Sequence, residues 1–144
     1  MNVIEPIIRQ AIRSDREEVF ALAKDFATSF NPEKNPFDFS FDQIINDGSA
    51  CLLIAAMNSR IIGYCLGFDH YAFYANGRVS WVEEIMVRED YRKREIGRML
   101  MNGFEEWASS RDSKLVGLAT RRAAPFYETL DYENSAVFFR KLLT

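Results

Sequence analysis

Val82-Glu83-Glu84-Ile85-Met86-Val87-Arg88-Glu89-Asp90-Tyr91-Arg92-Lys93-Arg94-Glu95-Ile96-Gly97-Arg98-Met99-Leu100 reads as a strand, a tight basic turn and a helix. The strand runs over Val79 to Val87. The helix runs over Glu95 to Ser110, with Ile96, Met99, Leu100, Phe104 and Trp107 sharing one face. A helix N-terminus leaves N–H groups unpaired and carries partial positive charge, so it can hold a phosphate. Arg92, Lys93, Arg94 and Arg98 strengthen that field. On charge alone, the same residues read more simply as solvated groups flanking a surface helix.

Upstream of this stretch, Ile4 to Ala11 is a strand candidate, and Ser14-Asp15-Arg16-Glu17 has the form of a capping box. Val19, Phe20, Leu22, Ala23, Phe26, Ala27 and Phe30 recur at helical spacing. That helix should end before Asn31-Pro32, because Pro restricts the residue before it. Pro32 to Pro36 reads as a loop, and Ser40 to Asn46 as a short helix capped by Ser40 and stopped near Gly48. Ala50 to Met57 and Arg60 to Asp69 are strands joined by Asn58-Ser59, a hairpin turn. Downstream, Lys114 to Ala119 is a short strand, Pro125 to Leu130 a short helix, and Ala136 to Leu143 a closing strand. The order β-α-α-β-β-β-α-β-α-β implies an α/β chain: an antiparallel meander, then a strand–helix–strand crossover, in a mixed sheet with helices on both sides.

At 144 residues the chain predicts one domain, 1–144, and its 48% hydrophobic content is too high for a disordered protein. Eighteen Lys and Arg stand against 21 Asp and Glu, a net charge of −3, which argues against a nucleic-acid partner. No apolar run is long enough to span a membrane, and the first residues lack the form of a signal peptide. Cys51 and Cys65 sit inside apolar runs and read as reduced, buried thiols in a cytoplasmic protein. One His and two Cys offer no metal-ligand cluster, so no metal is expected. Gly97 has no second Gly at the spacing of a P-loop or dinucleotide fingerprint.

Two motifs resemble a known family. The stretch quoted first is similar to the acetyl-CoA-binding signature of the GNAT superfamily of N-acetyltransferases, Arg/Gln-x-x-Gly-x-Gly/Ala after an acidic-apolar strand, with Arg92 at its first position and Gly97 at its last. Ala123-Ala124-Pro125-Phe126-Tyr127-Glu128-Thr129-Leu130-Asp131-Tyr132 is similar to the family's Ala-x-x-Phe-Tyr-x-x-x-Gly-Phe/Tyr. The matches span Val82 to Tyr132. Glu95 stands where the family has its first Gly, and Lys93 where many members have another. Glu95 is compatible with binding if the backbone there is helical and its carboxylate points away or pairs with Arg92 or Arg98. Asp131 replaces a Gly, and Asp tolerates the left-handed conformation better than most residues.

The resemblance implies a GNAT-like, mostly antiparallel central sheet flanked by helices, with one splayed parallel strand pair. It also implies acetyl-CoA as cosubstrate, lying between Val82–Val87 and Lys114–Ala119. Backbone groups of Ile85, Met86 and Val87 would meet the pantetheine arm, as in strand addition. Backbone N–H groups from Arg92 through Lys93, Arg94, Glu95, Ile96 and Gly97 to Arg98 would hold the diphosphate. The implied reaction is direct attack of a primary amine of a small molecule on the thioester in a ternary complex. An alkyl amine with pKa near ~10 is mostly protonated at neutral pH, so a base must take its proton. Glu83 and Glu84 alternate along a strand and should point to opposite faces, so that one faces the cleft. Family position favours Glu83, with Glu84 as alternate. Tyr127 occupies the position of the acid that protonates the leaving thiolate, and a backbone N–H near Val87 that of the oxyanion donor.

By the same resemblance the acceptor pocket draws on Phe30, Phe37, Phe39, Phe41, Phe68, Tyr71, Phe73, Tyr74 and Trp81, with Asp69 and the two glutamates suiting a cationic amine. Each aromatic also reads as plain core. His70 is the one His and reads more simply as a bystander. An anionic amine would instead meet Arg78, Arg121 or Arg122. The chain ends soon after the closing strand, and a further strand is expected to be absent or supplied by a second copy, giving a homodimer. Two other readings share the fold: a non-catalytic acyl-CoA-binding sensor, and a protein N-acetyltransferase with an open groove.

Overall fold

Residues 50–57 and 61–68 are apolar at nearly every position, as strand segments buried on both faces must be. The computed structural model describes residues 5–26, 30–92 and 95–144. Its elements are β1 (Ile7–Gln10), α1 (Arg16–Phe26), α2 (Lys34–Ile45), β2 (Ala50–Met57), β3 (Arg60–Ala72), β4 (Gly77–Val87), α3 (Ile96–Ser110), β5 (Val116–Leu118) and α4 (Ala124–Glu128). The sheet order is β1-β2-β3-β4-β5, antiparallel throughout except for the parallel β4–β5 pair. The β2–β3 hairpin turns at Asn58 and Ser59, whose φ angles of 53° and 63° are the two positive values a tight two-residue hairpin needs.

Alternation divides the buried side chains into two cores. Cys51, Leu53, Ala55, Ile62, Cys65 and Val82 meet Ile96, Leu100, Met101 and Phe104 of α3 and Tyr127 of α4. On the other face, Leu52, Ile54, Ile61, Tyr64 and Leu66 meet Val19, Leu22 and Ala23 of α1 and Phe41 of α2. Phe104 lies flat on β3 at Gly67, where a Cβ would run into its ring. Within α3 it is Met101, not Met99, that joins the fully buried set.

Five expectations change. The closing strand over Ala136 to Leu143 does not form. The chain after Tyr132 has no regular structure, because no sheet edge takes up its peptide groups and an unpaired strand is not stable. The capping box at Ser14 does not form; the Asp15 carboxylate instead closes the 3₁₀ turn Arg13–Asp15 that leads into α1. The Asp15 carboxylate accepts from the Ile12 N–H at 2.7 Å and from Arg9 at 2.7 and 2.9 Å, which a Ser hydroxyl could not do at once. Helix α2 begins at Lys34, so Pro36 lies in its first turn and not in a loop; Pro is tolerated there because its missing N–H has no helical partner. For the same reason Ser40 is a mid-helix residue. β3 runs on to Ala72, carrying His70 as an exposed strand residue rather than a loop one. Ile4 and Ala27, assigned above to the first strand and first helix, lie outside the described residues.

Candidate active site at the parting of two strands

The parallel pair holds together for three rungs only: Ser80 with Val116, Trp81 with Gly117, and Val82 with Leu118. β4 then continues to Val87 paired with β3 on one edge and with no strand on the β5 edge. β5 stops because Thr120 turns the chain, its Oγ1 accepting the Ala123 N–H at 3.0 Å ahead of α4. On the other edge of β4 the Arg88 N–H donates to Ile62 O at 2.7 Å. By the alternation of an antiparallel ladder, the peptide groups of Ile85 and Val87 therefore face the gap. Val87 O already accepts from Arg92 Nε at 3.0 Å.

A β-bulge sits where the strands part. Gly67 of β3 faces Val82, and Leu66 faces Glu84, so Glu83 is an extra residue. The bulge resets the alternation: Val82 and Ile85, three positions apart, both pack on the α3 side. Glu83 and Glu84 consequently share the α1/α2 side. The expectation of opposite faces fails because an unpaired residue breaks the period of two. Tyr64 Oη donates to Glu84 Oε1 at 2.7 Å. Burial holds the Glu84 carboxyl above the usual carboxylate range; the Tyr64 hydrogen bond partly offsets this, and the charge of Glu83 adds to it. Sequence reasoning missed Tyr64, whose bond depends on cross-strand register.

The turn into α3 passes through a short 3₁₀ segment, Glu89–Tyr91. Lys93 and Arg94, both candidates for the diphosphate site, lie outside the described residues. Glu95 caps α3 at φ 65°, ψ 8°, so its backbone is left-handed, not helical: it takes the conformation for which a Gly is the usual choice. Its carboxylate pairs with Arg98, Oε2 to Nε at 2.6 Å, and is thereby partly neutralised. Gly97 allows the α3–α4 approach, since a Cβ there would sit 3.2 Å from the Phe126 ring. Ile96 is buried, so its side chain belongs to the core and its backbone alone can meet a ligand. Met86 packs on the α1/α2 core and receives Arg92 Nη2 at 3.8 Å from its sulfur.

Tyr127 projects from α4 into the α3-side core, edge-on to Phe126 at 5.0 Å and to Tyr132 at 6.0 Å. Burial pushes its hydroxyl up to about 12. Tyr132 Oη donates to Glu105 at 2.7 Å, whereas the Tyr127 hydroxyl has no hydrogen-bond partner among the described residues. Asp131 takes φ 69°, the left-handed turn its position requires.

The aromatic residues named for an acceptor pocket do not converge. Phe37 and Phe41 pack with Phe20 between α1 and α2. Phe30, Phe39, Tyr71, Phe73 and Tyr74 are exposed, with Arg78 stacked on Tyr71 at 4.6 Å. Phe68 and Trp81 remain on the glutamate face, paired across β3 and β4. Asp69 is buried and bound by Arg111, with Arg78 at 3.7 Å, so neither Asp69 nor Arg78 is available to an acceptor. Among the described residues no helix is long and apolar enough to cross a membrane, and no group of acidic, Cys and His side chains could hold a metal ion. A hollow of about 440 Å³ beside Asn46, Gly48 and Trp107 contains none of the candidate residues.

A sequence profile of the acetyltransferase (GNAT) family matches residues 16–132. No curated protein sequence matches the chain. Among solved structures, a transcriptional regulator from Bacillus halodurans superposes with a TM-score of 0.87 at 21% identity, covering 96% of this chain and 100% of that one. Glucosamine-6-phosphate N-acetyltransferase from Arabidopsis thaliana gives 0.83 at 19% identity, covering 96% and 99%. An aminoglycoside N-acetyltransferase in complex with CoA gives 0.82 at 16% identity, covering 99% and 98%. These likenesses concern the fold. The profile, which runs from the start of α1 through the bulged strand and both motifs to Tyr132, decides the rest: the chain belongs to the acetyltransferase (GNAT) family.

Proposed function

We propose that this chain transfers an acetyl group from acetyl-CoA to a primary amine of a small molecule, by direct attack in a ternary complex. One observation carries the reading. The gap beyond Val82 and Leu118 joins the two faces of the sheet, with a phenol lacking a partner on one face and a carboxylate pair on the other. A thioester lying in that gap would present its sulfur to Tyr127 and its carbonyl carbon to an amine arriving beside Glu83 and Glu84.

Glu84 is the proton acceptor in this scheme. Burial raises its basicity above that of an ordinary carboxylate, which favours the proton-accepting role, and Tyr64 fixes its position. Glu84 takes the ammonium proton, the freed amine nitrogen bonds to the carbonyl carbon, the C–S bond breaks as Tyr127 Oη gives its proton to the departing sulfur, and the second nitrogen proton returns to the Tyr127 oxygen through solvent. The gap-facing N–H groups of Ile85 and Val87 can take the pantetheine arm and the oxyanion. The α3 N-terminus, with Arg98, can take the diphosphate. The free, buried thiols Cys51 and Cys65 suit a cytoplasmic setting.

The test is thiol release from acetyl-CoA over a panel of primary amines. Tyr127→Phe is expected to lower turnover by ~10²–10⁴-fold with acetyl-CoA affinity nearly unchanged; unchanged turnover would remove the acid role. Glu84→Gln should abolish the acidic limb of the pH–rate profile. Glu83→Gln should move that limb to lower pH, because the charge that raises Glu84 is gone. The left-handed Glu95 at the diphosphate turn favours a second reading, an acyl-CoA sensor that binds without turnover. Such a protein would bind acetyl-CoA and release no thiol above background.

A further inference from the structure

The segment after Tyr132 has no part in the chemistry above, yet one of its residues meets an aromatic ring on the glutamate face. Phe138 stacks on Trp81, with ring centroids 6.5 Å apart and planes at 26°. Trp81 is directed to the glutamate side: it neighbours Val82, which packs on the opposite face, and it pairs with Phe68. Its ring reaches across the strand pair onto β5, where a Cβ at Gly117 would sit 3.2 Å from Trp81 Cε3. Trp81 thus covers the middle of the three rungs, one rung before the strands part, and Glu83 follows it on the same face.

The segment reaches this point from the other side of the sheet. Tyr132 packs in the α3-side core and is fixed there by its N–H to Tyr127 O at 3.1 Å. Six residues later, at Phe138, the chain is on the glutamate face. Between these anchors residues 133–137 make no backbone hydrogen bond among the described residues. Phe138 is 59% exposed and Phe139 87%. The ring stack therefore holds a strap with no ladder to stiffen it, and one edge of the Phe138 ring stays open to an incoming group.

We infer that residues 133–144 form the outer wall of the acceptor pocket, with Phe138 on Trp81 as its apolar surface, and that this wall selects primary amines carrying an aromatic or extended apolar body. The inference rests on the acetyl-transfer reading for its kinetic test, but not for its binding test.

Two measurements separate the two. Thiol release is followed with methylamine, n-hexylamine and 2-phenylethylamine, for the unaltered chain, Phe138→Ala, and a chain ending at Tyr132. The KM for hexylamine and phenylethylamine should rise about tenfold in both variants, with kcat, the methylamine KM and the acetyl-CoA KM within twofold of their starting values. Equal KM values for all three amines in all three proteins would overturn the wall. Independently, in a Trp107→Phe background the sole remaining indole is Trp81. Phenylethylamine should protect its fluorescence from acrylamide quenching, and Phe138→Ala should abolish that protection. If thiol release is absent but protection is present and depends on Phe138, the wall stands and the acetyl-transfer reading falls. If thiol release occurs with unaltered KM values and no protection, the wall alone falls; absence of both removes both.

Discussion

β3 is laddered along both edges, to β2 through eight rungs and to β4 through ten, whereas β5 holds to β4 through three. The first half of the sheet is closed by two apolar cores, one on each face. The second half ends in a short strand, a five-residue helix and an unladdered strap. Stability and chemistry are divided accordingly. The laddered half holds the bulge and the glutamates in place; the sparse half leaves peptide groups of β4 without a partner strand, and that open edge is the seat proposed for the cosubstrate.

The largest expected effect tests this division directly. Phe104 is fully buried against β3, and Phe104→Ala should cost roughly 3–5 kcal/mol in urea unfolding. Phe139→Ala, in the strap, should change stability by less than about 0.5 kcal/mol. Comparable losses at the two sites would mean that the strap is part of the core.

The next effect lies at the edge of the laddered half. Asp15→Ala leaves the Ile12 N–H and Arg9 without their acceptor and should cost about 2 kcal/mol at neutral pH. The Arg9 guanidinium, then the Ile12 N–H, hold the Asp15 carboxyl below its usual range against the cost of burial. Its contribution is therefore present above the unfolded value near ~3.9 and is lost as pH falls through the lower folded value. Urea unfolding from pH 7 down to pH 2 should show a flatter acid limb in Asp15→Ala.

Glu84 reverses that sign. Its folded carboxyl is raised, first by burial, so the folded state binds the proton more tightly than the unfolded chain does. Stability should decline as pH climbs from the unfolded value near ~4.3 through the raised folded one. Glu84→Gln keeps an acceptor for Tyr64 and carries no charge, so the decline should vanish in unfolding curves collected from pH 4 to pH 8. A decline that persists would place its origin in another group.

These two carboxylates also show what could be read ahead of the structure. The element order up to α4, helices on both faces of the sheet, the hairpin at Asn58-Ser59 and a strand leading into a helix between Val82 and Leu100 follow from local periodicity and turn chemistry, and these are present. The Glu83–Glu84 arrangement was not legible, because a bulge is a property of two strands in register and the period of two holds only without one. The Tyr64 bond and the Trp81–Phe138 stack are likewise pairings between distant segments. Ala136 to Leu143 has strand-forming residues, but propensity needs a neighbouring edge to become a strand. Gly97 matched a ligand motif, and its visible work is to admit Phe126.

The smallest effect concerns the junction between the halves. Glu95 adopts a left-handed conformation that costs a non-Gly residue roughly 1–2 kcal/mol, and its exposed pair with Arg98 returns about 0.3–0.5 kcal/mol. Glu95→Gly removes the strain and the pair together, so the net gain in unfolding should be about 0.5–1.7 kcal/mol. The same change removes a carboxylate from the turn proposed to hold the diphosphate and frees Arg98. Acetyl-CoA titrated into Glu95→Gly by calorimetry should bind more tightly than to the unaltered chain, and the difference should shrink as salt screens the charges. Tighter folding with unchanged acetyl-CoA affinity would place the diphosphate away from this turn; tighter binding would identify Glu95 as the residue that trades cosubstrate affinity at the mouth of the gap.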